Sequence, residues 1–218
     1  MAFEVMDEHE QGELVQKWLR ENALSIVIGV GLGLLLIFGW QQWKTHRAVH
    51  QLEAATHYMA LTDALEKKNY DVVNQAAQKL RDDYSDTSYA ALAAMQQVGV
   101  SLSTADKDKD AAYKNMDWAY QHSPTELKEL VGTRLARLQI STGKYQDALS
   151  LLDGLSKTTT YGALVNELRG DAQVGLGHKD EARTAYAEAL NGVDAGTPHR
   201  NVVEMKLANL GGKTEKQG

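Results

Sequence analysis

The sequence contains no cysteine and only two prolines among its 218 residues. The absence of cysteine excludes disulfide bonds and thiol chemistry. Phenylalanine and tryptophan are few, runs of β-branched residues are nearly absent and alanine is abundant, which together favour helices. The chain also lacks an excess of basic residues, since its formal net charge is −6. It therefore has no basic surface for nucleic acid and no polybasic patch for anionic lipids.

The longest uncharged stretch covers residues 22–43. As a helix with a rise of about 1.5 Å per residue it would span roughly 30 Å, the thickness of the hydrocarbon core of a bilayer. A helix satisfies its own backbone polar groups in lipid. Trp40 and Trp43 mark one end of the stretch, as aromatic residues do at membrane interfaces. We predict a transmembrane anchor over residues 22–43, with Asn22 as its N-cap; the alternative is a buried helix of a soluble protein.

The segment before this stretch, residues 1–21, carries six acidic and two basic residues. A cleaved signal peptide would begin with a basic region, so we predict an uncleaved anchor preceded by an acidic tail. The second half of the tail has apolar residues at helical spacing, at Leu14, Val15, Trp18 and Leu19, which predict a short amphipathic helix. The tail is either a solvated segment or a docking segment for a partner. Two basic residues flank each end of the stretch, so the positive-inside rule does not orient the chain.

Gly29 and Gly33 form a G-x-x-x-G step inside the predicted anchor. Such steps allow two membrane helices to approach closely, although glycine is common in membrane helices without this role. Beyond the anchor, three histidines and a glutamate recur at steps of four, three and four residues, on one face of a helix: His46, His50, Glu53 and His57. This spacing can hold a metal ion. A helix contact or a membrane-interface position is the favoured interpretation, and we expect no metal and no cofactor.

Two segments in the second half of the chain match each other at an offset of 34 residues. The matching pairs are Gly143 and Gly177, Ala148 and Ala182, Leu152 and Tyr186, and Leu155 and Ala189. A period of 34 residues is that of tetratricopeptide repeats. Gly170 occupies the position of a small residue on the first helix of the second copy. Small residues allow paired helices to approach, and the larger residue fills the remaining groove.

Two weaker copies precede these segments, one at Ala112, Met116 and Ala119 and one at residues 70–80. We therefore predict an all-α chain: a single N-terminal transmembrane helix, then a tetratricopeptide-like α-solenoid over residues 44–210, then a disordered tail over 211–218. The solenoid is predicted to contain four helical pairs, at about 50–80, 87–121, 124–155 and 161–190. Ser123 to Glu126 reads as a capping box. Thr197 and Pro198 begin a closing helix that covers the end of the stack.

No motif predicts an enzyme. Gly212, Lys213 and Thr214 resemble the end of a phosphate-binding loop, but that pattern requires glycine at position 207, which is leucine. No serine lies in a nucleophile elbow and no pair of carboxylates has a defined context. We predict a non-catalytic protein without catalytic or metal-binding residues.

The order of acidic tail, anchor, repeats and closing helix resembles the YfgM family, an ancillary component of the bacterial Sec translocon. The resemblance covers nearly the whole chain and is carried by residues 39–43, 89–93, 134–139, 168–172, 177–189 and 205–210. It implies a single-pass type II protein of the bacterial inner membrane, with the tail in the cytoplasm and the repeats in the periplasm. It also implies association with the SecYEG translocon, with a PpiD-type periplasmic chaperone and with unfolded exported proteins. The family has no catalytic residues to transfer.

Two functions remain in view. The first is a membrane-tethered interaction module beside the translocon that helps hand newly exported proteins to periplasmic chaperones. The second is a scaffold for an envelope assembly complex, which would bind folded partners through its repeat surface.

Overall fold

The computed structural model describes residues 8–103, 108–155 and 161–211, with side chains from residue 12 onward. Within these ranges the chain is all-helical, as predicted, and contains no strand. The helices are α1 (Glu8–Glu66), α2 (Tyr70–Asp83), α3 (Ser88–Ser103), α4 (Lys109–His122), α5 (Thr125–Ser141), α6 (Tyr145–Gly154), α7 (Gly162–Leu176), α8 (Lys179–Asn191) and α9 (Pro198–Asn209). Of the tail predicted to be disordered over residues 211–218, residues 212–218 lie outside the described residues, and so does the rejected phosphate-loop motif at 212–214.

The chain divides into two compact units, Met1–His50 and Gln51–Gly218. The first unit holds most of α1, which has 59 residues and no proline. The prediction that Asn22 caps a helix was wrong, because the helix already begins at Glu8. Residues 13–21 are mostly strong helix formers, so nothing stops the helix before the apolar stretch. Asn22 lies inside it, and its Nδ2 donates a hydrogen bond to the carbonyl oxygen of Trp18 at 2.9 Å.

The second unit is a stack of helix pairs. Helix α3 packs on α4, α5 on α6 and α7 on α8, and each pair contacts the next through α2 with α3, α4 with α5, and α6 with α7. Helix α5 also contacts α7, and α9 closes the series against α8. These boundaries agree with the four predicted pairs and the closing helix. We call this unit the repeat domain.

Buried apolar residues follow the stack in four clusters, from the end of α1 to α9. In the first cluster, Leu61 of α1 packs with Val73 and Leu80 of α2 and with alanines of α3. Alanine supplies much of the core in every cluster, since a small side chain allows the helix axes to lie close together. The core is therefore a series of apolar clusters at successive helix contacts along the stack.

The turns within pairs use backbone conformations that suit glycine. Gly143 and Gly177 have φ values of 80° and 83°, the left-handed region in which a side chain is unfavourable. Gly177 ends α7 in this conformation, and its N–H reaches the last carbonyl groups of that helix. The repeat period therefore places equivalent glycines where the chain reverses between the helices of a pair.

Of the two helix starts predicted in the repeat domain, one was wrong. Ser123 does not cap α5: its hydroxyl donates to the carbonyl oxygen of Ala119 at 2.6 Å, and α5 begins after Pro124 without a side-chain cap. The serine follows the last turn of α4, whose free carbonyl groups compete for its hydroxyl. Thr197 does cap α9, since its hydroxyl oxygen accepts from the N–H of Arg200 at 3.3 Å.

Candidate functional site

The apolar part of α1 exposes its large side chains on all sides. Leu24, Leu36 and Phe38 leave 74%, 75% and 72% of their surfaces uncovered. By length and composition this is the one helix among the described residues that can cross a membrane. A helix with apolar residues all round has no polar face for water, and a bilayer is the solvent that suits it. We call residues 22–43 the anchor segment.

Aromatic and cationic side chains occur together at the end of the anchor segment. The rings of Trp40 and Trp43 lie 5.2 Å apart between centroids. The guanidinium carbon of Arg47 lies 5.0 Å from the centroid of the Trp43 ring. Tryptophan and arginine in this arrangement are typical of the interface between hydrocarbon and water.

Gly29 and Gly33 have open space around them. A methyl group added to either would meet no atom within 4 Å. That these glycines pack against a membrane helix of another protein therefore remains a prediction.

The residues predicted to pack the repeats lie at the helix contacts of the repeat domain. Nine of them are buried: Ala112, Met116, Ala119, Ala148, Leu152, Gly170, Ala182, Tyr186 and Ala189. Gly143 and Gly177 occupy the turns described above. Gly170 faces Tyr186, and a methyl group added there would overlap the tyrosine ring. The structure brings these residues together in adjacent pairs, while Gly29 and Gly33 belong to the other unit.

Two further glycines face aromatic rings in the same way. A methyl group on Gly175 would overlap the ring of Tyr145, and one on Gly132 would lie about 3.0 Å from Tyr120 and 2.9 Å from Leu155. Sequence reasoning missed both contacts. The sequence feature that could have indicated them is glycine inside a helix, which usually marks a place where another group packs closely against the backbone.

A charged network joins α7 to α9. Lys206 Nζ donates to Glu167 Oε1 at 2.8 Å and to the two carboxylate oxygens of Asp171 at 2.7 and 2.8 Å. The hydroxyl of Tyr186 donates to Asp171 at 2.7 Å. His199 Nε2 lies 3.0 Å from Glu167 Oε2, but that buried oxygen receives no hydrogen bond, so we regard the contact as proximity alone.

This network changes the acidity of two of its members. Burial, followed by the hydrogen bond to Asp171, raises the pKa of Tyr186 well above its ordinary value. Burial lowers the pKa of Lys206, but its hydrogen bonds to Asp171 and Glu167 outweigh that effect, so the net shift is upward. Both shifts favour the protonated groups that donate these bonds. The network therefore holds the closing helix through protonated donors on Lys206 and Tyr186.

The three histidines and the glutamate that share one face of α1 do not form a metal site in the described structure. Tyr84 donates a hydrogen bond to Glu53 at 3.2 Å, and its ring lies 5.5 Å from that of His57. In the described part of the chain no group of three or more histidine, aspartate or glutamate side chains has a metal-binding arrangement.

A polar cluster joins α2, α3 and α4, and sequence reasoning missed it. Arg81 Nη1 donates to Gln97 Oε1 at 3.3 Å and to Asn115 Oδ1 at 3.0 Å. Gln97 Nε2 donates in turn to Asn74 Oδ1 at 3.2 Å. The guanidinium carbon lies 4.5 Å from the centroid of the Trp118 ring. We call these five residues the Arg81 cluster. Arg81 and Asn115 lie 34 residues apart on different helices, so no local sequence pattern joins them.

Comparison with known proteins places these features in a family. The model of the family described as tetratricopeptide repeat-like domain matches residues 16–212. The chain is 30% identical over 217 residues to the ancillary SecYEG translocon subunit of Haemophilus influenzae, covering 96% of this chain and 100% of the relative. It is 29% identical over 204 residues to the protein of that name from Escherichia coli, covering 94% and 97%. The relative of the same name from Neisseria gonorrhoeae is 24% identical over 196 residues, covering 89% of each chain.

Proposed function

Since the chain belongs to the YfgM family of ancillary SecYEG translocon subunits, we propose that it is a membrane-tethered protein-interaction subunit of the Sec translocon in the bacterial inner membrane. The observation that carries the proposal is the combination of one lipid-compatible helix with a domain of helical repeats. The helix α1 belongs to both parts, since it runs from Glu8 to Glu66. Helical repeats bind other proteins through extended surfaces.

The proposed orientation has the acidic tail in the cytoplasm and the repeat domain in the periplasm. The charges flanking the anchor segment are balanced, so the family resemblance supplies this orientation. A reporter that is active only in the periplasm, fused after Lys213, should be active. Activity of a cytoplasm-only reporter at the same position would reverse the proposed orientation.

The mechanism we propose is local concentration. A tether beside the channel holds the repeat surface where exported chains emerge, so that individually weak contacts are occupied often. The repeat domain binds unfolded exported proteins and a PpiD-type chaperone, and it helps transfer the exported proteins to the chaperone. The relatives are named as translocon subunits and not as enzymes, and we propose that this chain is not an enzyme either.

The test of translocon association uses Gly29 and Gly33. If they form a helix–helix face, replacing both with leucine should leave membrane insertion intact but weaken co-purification of the translocon in mild detergent. We expect partial loss, because the repeat domain contributes as well. The matched control replaces Val30 and Leu34 with isoleucine and should retain the partner. Absence of the translocon from the native complex would contradict the proposal.

The scaffold function differs from the translocon function in its partners, which would be folded proteins and not unfolded chains. The full chain in detergent should slow the aggregation of an unfolded export substrate if it binds emerging chains. If it has no effect on that substrate but binds a folded envelope protein, the scaffold function is the correct one.

A further inference from the structure

We infer that the Arg81 cluster is a binding site for a carboxylate group of a partner polypeptide, an aspartate or glutamate side chain or a chain terminus. The inference rests on the proposed function for the kind of partner, and on the following contacts for the site itself.

Arg81 differs from the other half-buried arginines of the repeat domain. Arg169 pairs with Asp153 at 2.8 Å, Arg200 pairs with Glu204 at 2.9 Å, and Arg183 pairs with Asp180. Among the described residues no carboxylate lies within ion-pair distance of Arg81. A half-buried cation without an anion is unusual, since removal from water costs free energy that a partner charge normally offsets.

The neighbouring acids of α2 are bound to other side chains. Asp82 accepts a hydrogen bond from Gln78 at 2.9 Å, and Asp83 pairs with Lys79 at 2.8 Å. Burial lowers the pKa of Arg81, an effect that Asp82 opposes through its charge. The helix therefore carries two acids next to the arginine, and neither forms an ion pair with it.

The orientation of the amides follows from arginine being a donor only. The atoms of Gln97 and Asn115 that face Arg81 must be oxygens, and Gln97 therefore turns its amide nitrogen towards an oxygen of Asn74. The oxygen of each amide is engaged inside the cluster. The amide N–H groups of Asn74 and Asn115 and the Nη2 of Arg81 make no hydrogen bond with the described residues. The unused capacity of the cluster consists of donors, which suit an anion.

The cluster is held in place and reaches the surface. Gln97 is buried, whereas Asn74 is exposed and Asn115 and Trp118 are partly exposed. The ring of His122 stacks on Trp118 with centroids 4.0 Å apart and planes within 10°. Arg81 also contacts Trp118, so the aromatic ring fixes the guanidinium group. A preorganised arginine loses less conformational entropy when it binds a carboxylate.

The charge around the site favours a monoanion. One guanidinium group among neutral amides, beside two acidic residues, matches a carboxylate better than a phosphate with up to two charges. The partly exposed Trp118 adds an apolar contact for the chain that carries the carboxylate. An acidic position beside an apolar one in an extended polypeptide is therefore the expected ligand.

The test follows the side-chain Nε–H signal of Arg81 by NMR in the full chain in detergent micelles, assigned with Arg81→Lys. The probes are three acetylated pentapeptides of one apolar sequence: with a free C-terminal carboxylate, with a C-terminal amide, and with an internal aspartate and a C-terminal amide. We expect each carboxylate peptide to bind at least about tenfold more tightly than the uncharged peptide. Equal affinities would overturn the inference, as would stronger binding of a phosphoserine peptide or of phosphatidylglycerol.

Two variants separate a binding role from a structural one. Asn115→Asp is nearly isosteric and places a carboxylate beside Arg81, so it should abolish the discrimination between peptides, measured by fluorescence polarisation, while the fold is retained or stabilised. Arg81→Gln should abolish discrimination too. The control Arg137→Gln, at an exposed position of α5, should retain it. Retained discrimination in folded Asn115→Asp would disprove the site.

This outcome is independent of the proposed function. If the peptides bind equally but the translocon co-purifies, the site is wrong and the proposed function stands. If the carboxylate peptides are preferred but the translocon is absent, the site stands and the proposed function fails.

Discussion

Leu36 in the anchor segment leaves 75% of its surface uncovered, whereas Leu80 in the repeat domain is fully buried. Both are leucines on helices, and the difference lies in what surrounds them. In the repeat domain the apolar side chains meet other helices of the same chain. In the anchor segment the large apolar side chains are exposed within the part of the chain that the structure describes, and lipid or another protein can cover them.

The comparison shows that exposure alone does not identify a membrane segment. Leu52 and Met59, which lie on the part of α1 that belongs to the repeat domain, are 68% and 70% exposed. They stand among polar neighbours, whereas the anchor segment has no charged residue at all. Isolated exposed apolar residues are normal on a water-soluble surface, and an uninterrupted uncharged stretch is not.

The largest effect is expected when charged residues are introduced into the anchor segment. Leu32→Arg combined with Leu36→Arg should disrupt membrane integration, because each arginine near the middle of a membrane helix costs about 2.5–3.5 kcal/mol. Leu52→Arg combined with Met59→Arg is the matched control and should leave integration unchanged. Alkaline extraction of membranes measures both. If the two double variants behave alike, the boundary between anchor segment and repeat domain is misplaced.

The next effect tests the close helix packing that the described residues of the repeat domain show. Gly170→Ala should lower the free energy of unfolding by about 1–3 kcal/mol, because the added methyl group overlaps the ring of Tyr186. Ala182→Leu should act similarly, since Ala182 is fully buried. The measurement is thermal unfolding followed by circular dichroism.

The control for that experiment is Gly99→Ala in α3. Gly99 has open space around it, so alanine should stabilise the helix by up to about 1 kcal/mol. A lower melting temperature for Gly99→Ala, or an unchanged one for Gly170→Ala, would show that the helix contacts are not as described.

A smaller effect is expected from the charged network that fixes α9. Lys206→Met leaves the buried carboxylate of Glu167 without its cation and should cost about 2 kcal/mol, since hydrogen bonds to charged groups contribute in this range. Lys179→Met, at an exposed position of α8, is the control. Identical melting temperatures of the two variants would mean that the network does not hold the closing helix.

The smallest effect is the dependence of stability on pH. The pKa values of Tyr186 and Lys206 are raised above 10.0 and 10.5 respectively. The unfolded chain therefore releases these protons first as pH rises, and the stability they contribute, complete below about pH 10, is lost above it. The stability measured by thermal unfolding should lose this contribution only above about pH 10. Tyr186→Phe should make the decline shallower; an unchanged slope would exclude Tyr186 as a source.

Much of the fold was predictable because its pattern is periodic. The offset of 34 residues located the turns at Gly143 and Gly177, and the lack of charge indicated a long apolar helix near the N-terminus. Local competition was harder to predict. Asn22 has a side chain that can cap a helix, but it lies inside α1, which the preceding polar residues extend. The hydroxyl of Ser123 donates a hydrogen bond to the preceding helix α4, so it does not cap α5.

The Arg81 cluster was harder still to predict. Arg81 lies 16 residues from Gln97 and 34 from Asn115, so their contact exists only after three helices have packed. No local pattern distinguishes Arg81 from arginines that have an acidic partner. Its lack of such a partner is a property of the folded chain.

The most direct test of the account is photocross-linking in native membranes. A photoreactive phenylalanine at Asn74, Arg137 or Thr184, on α2, α5 and α8, would be combined with an exported protein stalled in the translocon. We predict cross-links from the repeat domain to the stalled chain, weakened when Gly29 and Gly33 are replaced by leucine. Absence of cross-links from all three positions, while channel residues still cross-link to the same chain, would contradict the claim that this domain receives exported proteins.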